Sequence, residues 1–174
     1  MNYLSVVAAL IFLSLSNVVK ADTNIAFVDM DKIISTSKPG LFFLNQLKEL
    51  NDKNIKKFTK GEKILKAREK KIIAQKNIIS EEIFRKEIEI LKLDIKKYNN
   101  NRNKAIADFN EIKVNNTNRL LQLINPVLAN YSDANSISLI LQKKNLIIGK
   151  SELDITDQII LTVNKNIKDF KIKK

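Results

Sequence analysis

LFFLNQLKELNDKNIKKFTKGEKILKAREKKIIAQ (41–75) and EEIFRKEIEILKLDIKKYNNNRNKAIADFNEIKVNNTNRLLQLINPVLANY (81–131) are separated only by KNIIS (76–80), and no proline precedes Pro126 in this stretch. Both runs are rich in helix formers, so residues 41–131 read as two long helices folded back on each other with a turn near 76–80. At 1.5 Å per residue, arms of roughly 35 and 50 residues reach about 50 and 75 Å, longer than a domain of this size is wide. Part of the hairpin must therefore project into solvent.

The two arms are unequally specified. In the first, the seven-residue spacing holds Leu44, Asn51, Phe58, Leu65 and Ile72, mostly apolar, but its companion positions hold Leu47, Asn54, Gly61, Arg68 and Gln75. That seam is half-made, and Gly61, which costs about 1 kcal/mol of helix propensity against Ala, marks an expected bend or soft point. In the second arm, Phe84, Ile88, Leu91, Ile95, Tyr98, Arg102, Ala105, Phe109 and Ile112 follow the alternating four-three spacing of an antiparallel coiled coil. The pattern shifts phase after Asn115-Asn116-Thr117-Asn118 and resumes at Leu120, Ile124, Val127 and Tyr131, where the arm is expected to leave its partner and pack on a body. Ser80 is placed to cap the second arm, with Glu81 and Glu82 at the positive end of its dipole.

Outward from the arms, Asn24 to Met30 (NIAFVDM) reads as a short strand that is apolar on both faces at its start. Asp31 or Ser35 is expected to cap a short helical turn before the breaker Ser37-Lys38-Pro39-Gly40. Beyond the second arm, Ser136 to Leu141 and Leu146 to Ile148, joined by Gln142-Lys143-Lys144-Asn145, are expected to form a β-hairpin closed by Gly149. Asp154 is expected to cap a last helix, with Asp157 three residues on and an apolar face of Ile155, Ile159, Ile160, Val163 and Ile167. So small a body cannot cover Ile25, Phe27, Val28, Ile137, Leu139, Leu141 and Ile147 by itself, and oligomerisation through a barrel of strands is the expected remedy. The fold class is α+β and mostly helical: a small β-barrel oligomerisation body with a long projecting antiparallel coiled-coil hairpin. The segments are 1–21, 22–40, 41–131 and 132–174.

Leu4 to Leu15 is an apolar run too short to span a bilayer, and Val19-Lys20-Ala21 offers a cleavage site, so residues 1–21 read as a signal peptide, a retained anchor being the alternative. Its removal from 174 residues leaves 153 and takes one positive charge, so +12 becomes +11. The chain has no Cys and no His, which excludes thiol and imidazole chemistry and His/Cys zinc sites. No cofactor or metal is expected. Asp29 with Asp31, and Glu81 with Glu82, are better explained as caps and turns than as catalytic pairs.

Charge is concentrated. Between Lys53 and Lys76 lie ten basic residues (Lys53, Lys56, Lys57, Lys60, Lys63, Lys66, Arg68, Lys70, Lys71 and Lys76) against Glu62 and Glu69, a net +8 on the distal first arm. Such a run is either a solvated helix face or a surface for an acidic partner. Nucleic acid is not the expected partner: the chain has no Trp, and only Phe58 interrupts the lysines, so no stacking platform is visible.

The order of signal, strand, helical hairpin, strands and short helix resembles the Skp (OmpH-like) family of periplasmic chaperones. The residues carrying the likeness are Ile25-Ala26-Phe27-Val28-Asp29-Met30, Ile79-Ser80-Glu81-Glu82, Ser138-Leu139-Ile140-Leu141 and Leu153-Asp154-Ile155-Thr156. The resemblance implies a periplasmic homotrimer whose arms enclose a cavity that holds unfolded outer-membrane proteins without ATP. By their charge the basic arm tips suit acidic clients and contact with anionic lipid or lipopolysaccharide; the family's lipopolysaccharide site is not carried over, its residues having no match here. It implies no enzyme activity. Asn125-Pro126 departs from the family pattern and is expected to remove one helical hydrogen bond. The alternative is a structural coiled-coil envelope protein that binds anionic surfaces through its basic hairpin.

Overall fold

In the computed structural model, residues 24–173 are described; the expected signal segment 1–21 lies outside them. Strand β1 (Ile25–Val28) leads into helix α1 (Met30–Thr36). The cap is Asp29, not Asp31 or Ser35: Asp29 is the last extended residue, and its carboxylate accepts the Lys32 N–H at 2.9 Å. Ser37 then ends α1 and begins the first arm, α2 (Lys38–Ala74), its hydroxyl accepting the Gly40 N–H. The expected breaker thus interrupts the helices for one residue only. Pro39 sits in the first turn of α2, where no N–H is needed. A Cβ on Gly40 would lie 1.8 Å from the Ile34 carbonyl oxygen, so glycine is what lets α1 fold down onto the start of α2.

The second arm, α3 (Glu81–Ala134), is capped by Ser80, which accepts the Ile83 N–H, and runs through Pro126 as one helix. The turn between the arms is closed by the Ile78 and Ile79 N–H groups donating to the Gln75 carbonyl. Strand β2 (Leu139–Gln142) follows, then short 3-10 turns at Lys143–Asn145 and Ser151–Leu153, then helix α4 (Thr156–Asn166).

The expected β-hairpin does not form. β2 pairs with β1, in parallel, with Ile25 opposite Leu139 and Val28 opposite Gln142. Lys143–Asn145 curl into a 3-10 turn closed by the Leu146 N–H on the Lys143 carbonyl, which turns the chain away, and Ile147 stands fully exposed instead of extending the sheet. A parallel pair needs a long crossover, and the whole helical hairpin supplies it. The other edge of β1 is closed by a bridge to Asp154, with the Ile155 N–H donating to the Phe27 carbonyl at 3.1 Å.

The core lies where everything but the distal arms converges. Val28, Ile33, Phe43, Leu47, Leu120, Ile124, Val127, Ile159, Val163 and Phe170 form one buried cluster. Phe43, not Leu44, is the buried residue at the root of α2, because there the arm packs on the body as well as on its partner. The phase shift after Asn118 has the expected cause: Leu120, Ile124 and Val127 enter this core. Ile167, expected on the last helix, instead begins an extended tail beyond it.

Asp154 joins β1 to α4, though not as the helix cap. The position before the helix is Ile155, without a side-chain cap. Asp154 accepts the Thr156 N–H at 3.0 Å, the Thr156 hydroxyl, and Lys143 Nζ at 2.9 Å, while the Thr156 hydroxyl accepts the Asp29 N–H at 2.9 Å. Partial burial pushes its carboxyl up, but the bonds from Thr156 and Lys143 outweigh this and hold it below the usual aspartate range. A depressed carboxylate stabilises the fold above its unfolded pKa, about 3.9, and loses that contribution as pH falls through the folded value. Asp154→Ala should therefore lower stability by about 1–2 kcal/mol at neutral pH, read from the urea midpoint, with the gap to the parent closing below about pH 4.

Candidate functional site

The arms meet through a thin seam. Phe58, Gly61, Leu65, Arg68 and Ile72 of α2, with Gln75 just past its end, are the more protected positions, facing Phe84, Ile88, Leu91, Asp94 and Tyr98 of α3. These are the spacings read from the sequence except at one position, where Asp94, drawn in by Arg68, takes the seam place expected of Ile95, which is exposed; among the described residues of this distal part only Ile72 and Leu91 are fully buried apolar side chains. Gly61 lies inside an uninterrupted helix. A Cβ there would sit 3.1 and 3.3 Å from the Tyr98 ring, so the glycine makes room for that ring. Tyr98 packs edge-on to Phe58, with centroids 5.9 Å apart, and its hydroxyl donates to the Phe58 carbonyl at 3.1 Å.

The ten basic residues are not equivalent. Lys53, Lys56, Lys57, Lys60, Lys63, Lys66, Lys70, Lys71 and Lys76 are exposed. Arg68 is half-buried in the seam and bridges the arms, pairing with Asp94 at 2.6 Å and Glu87 at 3.1 Å. Lys66 pairs along its own helix with Glu62 at 2.7 Å, which raises the Lys66 pKa and lowers that of Glu62. Lys57 lies over the Phe58 ring, 5.4 Å from its centroid. Apolar side chains interleave with these charges: Ile55, Ile64 and Ile73 on α2, Ile78 in the turn at 80% exposure, and Leu93 on α3 at 65%. Between Lys57, Lys60 and Lys97 opens an apolar cleft of about 390 Å³ floored by Phe58, Ile64, Leu65 and Tyr98.

The residues expected to build an oligomerisation body divide. Phe27 and Val28 are buried within the chain, and Ile137 and Leu141 are half-buried. Ile25 and Leu139 are exposed opposite each other in the two-stranded sheet, and Ile147 is exposed outside it. The outer edge of β2 has no partner among the described residues. No group of three His, Cys, Asp or Glu suited to a metal occurs among the described residues. No described helix is long and apolar enough to cross a membrane.

The sequence reading missed the tail, residues 167–173. It runs extended between the roots of the arms, burying Phe170 edge-on to Phe43 with centroids 5.7 Å apart. Gln46 of α2 and Asn116 of α3 hold its main chain. The alternation of Phe170 and Ile172 with charged residues was its one signal.

Residues 24–162 match the family described as outer membrane protein (OmpH-like). The fold is also that of a crystal structure from Caulobacter crescentus CB15, described as a candidate outer membrane chaperone (OmpH-like). The TM-score is 0.80 at 15% identity, over 87% of this chain and 89% of that one. No curated protein sequence matches the chain.

Substitutions at Gly61 and Tyr98, and at Arg68 with Lys70 as its control, test the seam. Gly61→Ala should destabilise the parent despite the gain of about 1 kcal/mol in helix propensity, and should stabilise a Tyr98→Ala background; thermal unfolding of the four proteins in the cycle measures the coupling. Arg68→Ala should raise amide hydrogen exchange in the distal arms about tenfold while leaving the root core unchanged, whereas Lys70→Ala should do neither.

Proposed function

Because the chain belongs to the OmpH-like outer membrane protein family, we propose that it is an ATP-independent periplasmic holdase, whose copies assemble through their strand-bearing bodies and shelter unfolded outer-membrane proteins between the helical arms. The observation that carries this reading is the composition of the distal hairpin surface. Over most of their length the arms spend little apolar area on each other and leave isoleucines and leucines exposed among lysines. Such a surface offers many weak contacts and no single deep pocket, which suits a client without fixed shape.

The open edge of β2, with Ile25, Leu139 and Ile147 exposed nearby, supports assembly into a homotrimer, since an unpaired apolar strand edge invites a second copy. Lys53, Lys56, Lys57, Lys60, Lys63, Lys70, Lys71 and Lys76 would draw acidic clients and anionic lipid or lipopolysaccharide toward the arms, while Arg68 braces them and Lys66 is partly neutralised by Glu62. An arm that held its partner by charge alone would let go as salt rises. One that also uses Ile55, Ile64 and Leu93 would not.

The purified chain is expected to suppress aggregation of a urea-diluted outer-membrane β-barrel protein at one trimer per client. It should retain part of that activity near 1 M salt, where screening acts beyond about 3 Å. Complete release of client at that salt would instead favour a purely electrostatic tether. Glu substitution at Lys57, Lys60, Lys63 and Lys70 together should slow client capture by about tenfold or more at low salt, followed by stopped-flow fluorescence, without changing the helical content.

A further inference from the structure

The geometry points to the cleft between the arm roots as a binding site for an extended polypeptide strand, at present filled by the chain's own tail, which a client strand displaces. Gln46 and Asn116 act there as two pieces of a neighbouring strand. Gln46 Nε2 donates to the Phe170 carbonyl at 2.8 Å and its Oε1 accepts the Ile172 N–H at 3.1 Å. Asn116 Nδ2 donates to the Lys173 carbonyl at 2.8 Å and its Oδ1 accepts the Lys173 N–H at 2.8 Å. Each amide thus offers one donor and one acceptor to the main chain, as a strand edge does, and this recognition is independent of sequence.

Both amides are held in place for the task. Gln46 also donates to the Phe42 carbonyl, and Asn116, buried to 1% exposure, donates to the Ile112 carbonyl and accepts from Arg119. Side-chain preference comes from one socket, where the occupant's aromatic ring meets Phe43 edge-on and lies 4.7 Å from the Arg119 guanidinium. An aliphatic side chain two residues later, here Ile172, lies on the same side. Transmembrane β-strands carry this alternation.

The tail is separable from the helix before it: helix α4 closes its last turn at Ile167, whose N–H reaches the Val163 carbonyl at 2.9 Å, so the tail can leave without opening that helix. Flanking clefts of about 580 Å³ on either side give a larger strand room; Glu49 is offset by Lys53 in one, while in the other Asp108, paired with Lys104, and Glu111 outnumber Arg119 and favour Lys or Arg at the outward position there.

The choice of client rests on the holdase reading, and the test separates the two. Amide exchange is followed in the full chain with and without saturating urea-unfolded β-barrel protein. Ile172 and Lys173 should lose at least tenfold protection while Ile159 and Val163 keep theirs; a client held out of aggregation with both tail amides still protected overturns the displacement. In a second arm, a labelled peptide of residues 166–174 (NIKDFKIKK) is offered to the parent and to Phe170→Ala. The variant should bind it at least tenfold more tightly, and less tightly when the peptide carries Glu for Lys171 and Lys173. A variant that keeps its helical circular dichroism and binds no peptide overturns the site itself. If the parent suppresses no aggregation, the holdase reading and the client assignment fall together, while the peptide arm still decides whether the cleft takes a strand in trans.

Discussion

Phe43 and Phe170 meet edge to face at the point where the two arms, the last helix and the tail come together, and around them Leu120, Ile124, Ile159 and Val163 are wholly enclosed. Long paired helices exposed to water gain little from each other unless their facing positions are continuously apolar. Here they are not, so the hairpin's orientation relative to the body is set at one end. Gly40 matters for the same reason: it lets α1 and α2 approach closely enough for Ile33 and Phe43 to share that core.

Away from this anchor the seam substitutes specificity for burial. Tyr98 reaches a helical carbonyl across a glycine, and Arg68 ties two carboxylates of the facing arm. These contacts fix the register of the arms while enclosing little hydrophobic area, since a polar contact at a seam position selects alignment more than it adds stability. The apolar residues left over face solvent among the lysines. The same economy therefore accounts for an aligned hairpin and for an adhesive surface.

Much of this was legible in the sequence because it is local. The four-three spacing of the second arm, the Ser80 cap and the loss of phase after Asn118 each depend on residues within a few turns of one another. Asp29 capping in place of Asp31 is a shift of two residues within the same logic. What could not be read depends on distant partners. Nothing in Ser138 to Leu141 says that its neighbour is Ile25 to Val28, more than a hundred residues away, and two β-branched runs close in sequence imitate a hairpin. Phe43 displaces Leu44 at the root because the body as well as the other arm receives it. The tail was hidden because Phe170 and Ile172 make too short an alternation to distinguish from a frayed end, and Gln46 and Asn116 look like ordinary polar helix residues until something lies across them.

The parallel pairing of β1 with β2, sealed by Asp154, has a consequence in time. Each arm and the turn between them are built from contacts near in sequence, which close quickly, whereas the sheet joins residue 25 to residue 139 and then to the Asp154 bridge. A chain made from its amino end presents β1 first, with Ala26, Phe27 and Val28 uncovered, and it cannot complete that strand until the hairpin has doubled back and residue 154 has arrived. The order of maturation is therefore arms first and body last, and the body's closure waits on the arrival of residue 154.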